Sequence, residues 1–113
     1  PTDRTAEADR MYPSHAITFP RLYLAAGVTT MRTAGTAEPT TDINLKRAIE
    51  SGASVGPDID VTGIWMDGAP PLVLQEATVR DAEDARRQVQ FWSAEGVTSF
   101  KVYMTLTREP MAA

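Results

Sequence analysis

The chain has 113 residues, 42% of them hydrophobic and 23% charged, with a net charge of −4, one histidine and no cysteine. This length supports one small domain at most. Acidic and basic residues are interleaved, so no basic stripe exists for a nucleic-acid backbone. The missing cysteines exclude disulfides, thiolate metal sites and thiol nucleophiles. No apolar run reaches the ~20 residues of a membrane-spanning helix, and no signal-peptide pattern is present. The expected compartment is therefore the cytoplasm.

In chain order, residues 1–17 are polar and aperiodic and read as a loop or tail. Thr18-Phe19-Pro20 has the form of a helix start, with Thr18 as cap and Pro20 in the first turn, and Gly27 is a plausible stop. The β-branched run Val28 to Arg32 follows as a strand. Gly35 and Pro39 mark a loop from Thr33 to Thr40. A second helix is predicted from Asp42 to Ser51, with Thr41 or Asp42 as cap, Leu45, Ala48 and Ile49 on its apolar face, and Gly52 at its end. Ile59 to Trp65 is the next strand, and the Gly- and Pro-containing stretch Asp67 to Val79 reads as a long loop. A third helix is capped by Asp81, carries Glu83 and Asp84 at its positive end, and lines up Ala82, Ala85, Val89 and Trp92 on one face. Glu83 and Arg87 have i,i+4 spacing. Gly96 ends this helix, and the strand Val97 to Met104 begins at once.

Helices alternating with strands, joined by short glycine-marked turns, predict an α/β fold with parallel strands. Three parallel strands leave two open edges, and a closed α/β barrel takes roughly 250 residues. Three strands are therefore expected to be part of a larger domain, and the start at Pro1 in place of methionine fits either a processed start or a piece of a longer chain.

The last strand, Val97-Thr98-Ser99-Phe100-Lys101-Val102-Tyr103-Met104, carries a lysine at its centre. Period-2 alternation puts Ser99, Lys101 and Tyr103 on one face and Phe100, Val102 and Met104 on the other, under the helices. A lysine buried on a sheet face is costly unless paired or chemically altered. The bland alternative is a stem that snorkels to solvent.

Three stretches together, "LYLAAGVTTMRTAGT" (22–36), "TDINLKRAIESGASVGPDIDVTG" (41–63) and "EDARRQVQFWSAEGVTSFKVYM" (83–104), resemble the early barrel of the metal-dependent amidohydrolase superfamily, in its imidazolonepropionase-like and Xaa-Pro-dipeptidase-like branch. The resemblance implies a partial (β/α)8 TIM-type barrel, with Val28–Arg32, Val61–Trp65 and Ser99–Tyr103 as its strands 2, 3 and 4. By the same resemblance Lys101 is the strand-4 lysine, which binuclear members carry as an N-carboxylate bridging two divalent metals, zinc being the expected ion. The implied reaction is cleavage of a C–N bond, in an amide or cyclic amide, by a metal-activated hydroxide; such metals bring a bound water's pKa from ~16 to ~7. Thr33 stands where the family usually has aspartate, which leaves the substrate subgroup open.

The superfamily's remaining ligands, a strand-1 His-x-His, two later histidines and an aspartate, have no counterpart here. His15 has no second histidine two residues away and reads as a loop residue. The 113-residue chain alone is thus expected to be inactive and to hold no cofactor. Arg32, Trp65 and Tyr103 are further substrate-pocket candidates by strand-end position; for Arg32 the structural alternative is an ion pair with a neighbouring carboxylate, and for Trp65 packing against the next helix. Asp58 and Asp60, astride Ile59, read as a solvated face. The expected partner is a small amide substrate, with neither nucleic acid nor membrane. A rival reading makes the chain a non-catalytic assembly module that self-associates through its open strand edges. A flavodoxin-like binding domain is weaker, because Thr33 to Asp42 is only a faint phosphate loop.

Overall fold

The computed structural model describes residues 17–71 and 76–113; the expected tail through residue 16, including His15, lies outside them. The described elements are α1 (Thr18–Ala25), β1 (Thr30–Arg32), α2 (Pro39–Glu50), β2 (Asp58–Asp60), β3 (Thr62–Asp67), β4 (Ala77–Thr78), α3 (Ala82–Ala94), β5 (Ser99–Val102) and α4 (Arg108–Met111). The class is α/β, and every strand pairing is parallel, as the alternation of elements predicts. No described helix is long and apolar enough to cross a membrane.

The expected strand Ile59–Trp65 is two strands, because its two halves have different neighbours. β2 pairs with β1, Thr30 opposite Asp58 and Arg32 opposite Asp60. β3 lies between β4 and β5. At the junction Thr62 N donates to Thr33 Oγ1 at 2.9 Å, a side-chain oxygen standing in for a ladder carbonyl. Pairing resumes at Thr36, whose N donates to Gly63 O at 3.3 Å and whose O accepts from Trp65 N at 3.4 Å. The longer strands follow one another in chain order, β1, then β2 and β3, then β5, while the short β4 turns back to pair on the side of β3 away from β5.

Right-handed crossovers repeated in one direction put successive helices on the same face of a sheet. Here Ile43 of α2 is buried with Ile59, Val61 and Val97, and Trp92 of α3 and Phe100 pack against the same cluster. A second cluster of Met66, Val79, Ala85 and Leu106 shares Phe100 with the first. The shortest extent, 18 Å, is that of one sheet under one tier of helices.

Local chemistry explains the element ends. At the close of α1, Gly27 N donates to Leu24 O at 3.0 Å and Val28 N to Tyr23 O at 2.9 Å, with Gly27 at φ +88°. This is a Schellman closure, and α3 ends the same way through Gly96 and Val97. Because the Val28 amide is committed to α1, β1 starts only at Thr30. Thr18 is the first helical residue rather than the cap, which is Ile17 without a side-chain bond. Helix α2 begins earlier than expected because Pro39 suits a first-turn position, where no N–H is needed. Asp81 caps α3 as expected, accepting from Asp84 N at 2.8 Å.

The expected Glu83–Arg87 pair gives way to Asp84, a buried carboxylate that draws Arg87 and, at 2.6 Å, Arg80; Glu83 meets Arg86 at 3.7 Å. A carboxylate losing water gains more from partners than an exposed one does. The stretch expected as one loop after Asp67 contains β4, with Ala77 opposite Met66 and Thr78 opposite Asp67. Helix α4 is too short for its apolar spacing to register in the sequence.

Candidate functional site

The site is built on β5 and β3. Ser99 faces Thr62, and Lys101 faces Trp65, with a register shift between the two pairs. Thr62 and Trp65 stand at odd spacing, so strict alternation would send them to opposite faces. The bulge absorbs the extra residue and returns Trp65 to the face of Thr62 and Lys101, as bulges re-aim side chains. On the other face Gly63 lies beneath Phe100 and Val97.

Lys101 is half-buried, and its ammonium lies over two rings, 5.1 Å from the centroid of Trp65 and 4.8 Å from that of Tyr103. The rings are 5.8 Å apart and tilted by 57°. Negative ring faces attract a cation, so the aromatic pair takes the place of a carboxylate partner for the amine. Among the described residues, the ion pairs do not include Lys101. Behind it, the hydroxyls of Thr62 and Ser99 are 2.8 Å apart and share one hydrogen bond. Phe100 packs under the helices as expected. Val102 shares that face, lining a cavity with Phe100, Ala85 and Val89 while 40% exposed, but Met104, beyond the end of β5, is 87% exposed and does not pack there.

Of the residues singled out in the sequence, Trp65 and Tyr103 are brought to Lys101. Arg32 is not. It pairs with Asp60, Nε to Oδ2 at 3.0 Å, with its side chain 65% exposed, and Asp60 precedes Trp65 by about 15 Å of strand. Asp60 also accepts from the Thr98 hydroxyl. The Thr98 hydrogen bond, then that of Arg32, holds the Asp60 carboxyl below its ordinary pKa. Asp60 is thus a stitch between three strand segments rather than a free solvated acid. Asp42 moves the other way: burial raises its pKa, a Thr36 hydrogen bond opposes the rise and the nearby Glu38 adds to it.

One residue that sequence reasoning passed over is Asp67, at the C-terminal end of β3 and 0% exposed. Its Oδ1 accepts from Gly68 N at 2.9 Å, Thr105 N at 2.8 Å and Thr105 Oγ1 at 2.5 Å. It ties the loop after β5 to the end of β3, beside the strand that bears Lys101. The available signal was an aspartate closing an apolar strand directly before glycine.

Among the described residues, no group of three or more His, Cys, Asp or Glu is placed to hold a metal ion. The donor chemistry around Lys101 is aromatic and hydroxylic, so these residues do not by themselves fit a metal centre. What the cluster does supply is a partly shielded amine on an otherwise polar and aromatic sheet face. Comparison with family models, with curated proteins and with solved structures finds no match to this chain.

Proposed function

We propose that this chain is a segment of a metal-dependent amidohydrolase barrel, contributing strands 2 to 4, and that Lys101 is the metal-bridging residue the segment supplies, as an N-carboxylate. The single observation carrying this reading is the placement of Lys101. It stands on the face of a parallel sheet away from the helices, on a strand paired in parallel with β3. Strands wound in one direction under helices on one face are the repeating unit of a closed α/β barrel, whose chemistry sits at the C-terminal ends of its strands. A doubly wound, flavodoxin-like sheet calls instead for helices on both faces, whereas α2 and α3 pack on one shared cluster. The reaction would be hydrolysis of an amide or cyclic amide, with a divalent metal, zinc by preference, held mainly by ligands outside the described residues.

The test is the reading frame around this segment, followed by metal analysis of the whole product. A His-x-His one strand upstream and bound divalent metal are expected, with metal affinity falling at least about tenfold in Lys101→Met, the lower bound for disturbing a metal site. A frame without the histidines, or full metal content in the variant, overturns the proposal.

A second reading, assembly through open strand edges, is favoured by surface rather than by the site. Phe19, Leu22 and Tyr23 of α1 are exposed, and β5 pairs on one edge only among the described residues. A concentration-dependent increase in mass by light scattering would support it; a strictly monomeric chain would exclude it.

A further inference from the structure

We infer that Gly35 is a positioning residue for Lys101. It lies in the loop between β1 and α2, at φ +91°, and the loop is pinned on both sides of it. Thr33 Oγ1 receives the Thr62 amide at 2.9 Å, and Thr36 is bridged to Ile64 of β3. A Cβ built at Gly35 collides with Nε1 and Cδ1 of Trp65 and comes within 2.7 Å of Lys101 Cδ. The bare backbone of Gly35 is therefore one wall of the Lys101 site, and Trp65 and Tyr103 are the others.

The contact explains how a loop residue acts on an amine two strands away. Trp65 and Lys101 are opposite each other in the β3–β5 register, and both touch the space a Gly35 side chain would fill. A methyl group there must displace the indole, the lysine stem, or both. Displacing the indole removes a ring that the ammonium lies over. The role rests on the reading of Lys101 as the functional amine, but the geometry needs no metal.

The chain carries its own control. Gly27 has nearly the same backbone conformation, φ +88°, with nothing within 4 Å of a Cβ. Alanine at either position meets the same left-handed strain, but only alanine at 35 meets side chains. The chain also has two lysines, Lys46 and Lys101, and Lys46 is held separately by Glu50 at 2.6 Å. Brief acetylation of the folded protein with acetic anhydride, with peptide mass spectrometry of the Lys101-to-Lys46 ratio, therefore reads access to Lys101 against an internal reference.

Gly35→Ala is expected to raise that ratio about threefold, the factor that loss of one exposed cation–π contact carries, while Gly27→Ala leaves it unchanged. Trp65→Leu should raise it similarly, and adding Gly35→Ala to Trp65→Leu should add less than the two effects multiplied. Equal ratios in Gly35→Ala and Gly27→Ala overturn the inference. If Gly35→Ala does not fold, recovery of the fold in the double variant with Trp65→Leu supports it, and failure to recover overturns it. A frame lacking the upstream histidines would remove the hydrolase reading and leave this result standing.

Discussion

The helix-covered face of the strands and the face that bears Lys101 follow opposite rules. Under the helices, Ile59, Val61, Met66 and Val97 are buried to 5% exposure or less, and each is held by many weak apolar contacts. On the other face, Thr62, Ser99, Trp65, Lys101 and Tyr103 meet through a few directional ones: a shared hydroxyl bond, two cation–π contacts and one tilted ring pair. The first face sets stability. The second leaves its polar groups placed but lightly held, which is how a site differs from a core.

That contrast can be broken from either side. Ile59→Ala should cost about 3 kcal/mol in urea-induced unfolding, from lost transfer energy and the cavity left behind; a cost below ~1 kcal/mol would mean that the helix-covered cluster is not the core. Asp67→Ala should cost about 2 kcal/mol, since it strands buried donors of Gly68 and Thr105. Asp67→Asn, which keeps an acceptor at Oδ1, should cost clearly less, and equal costs would show that the charge rather than the hydrogen bonds matters. On the other face, Lys101→Met should change stability by less than ~1 kcal/mol, because it keeps the stem and removes only exposed-type cation–π contacts. A larger loss would turn Lys101 into a structural residue.

The smallest effect is in acid. The Asp60 pKa is depressed in the folded chain, so the folded state binds fewer protons than the unfolded one in that range. Its contribution is present above the ordinary value of 3.8 and is lost as pH falls through the depressed value. Asp42, raised by burial, has the opposite sign: its folded state prefers the proton, so stability declines as pH rises from 3.8 through the raised value. Asp60→Asn should flatten the low-pH limb of a stability–pH curve, and Asp42→Asn should remove the opposing slope. An unchanged curve in both would show that neither acid is linked to folding.

What could be read in advance was local. The stops at Gly27 and Gly96 follow from the left-handed turn a helix needs before a strand. The Asp81 cap follows from an acceptor placed just before a helical run. The pairing of Ser99 with Lys101 on one face follows from alternation. What could not be read depends on which strand lies beside which. The bulge that turns Trp65 toward Lys101, the division of one strand at Val61 and the two amides gathered by Asp67 are all set by register between distant segments. Gly35 belongs with these: in the sequence it is a loop glycine, and only the packed loop makes it a wall.

The ordering of the strands has a last consequence, in the time domain of synthesis. Arg32 finds Asp60 across 28 residues and Thr62 finds Ser99 across 37, and no described strand waits for a partner from the far end of the chain. Each pairing closes soon after its second strand emerges, so pairing can keep pace with the ribosome.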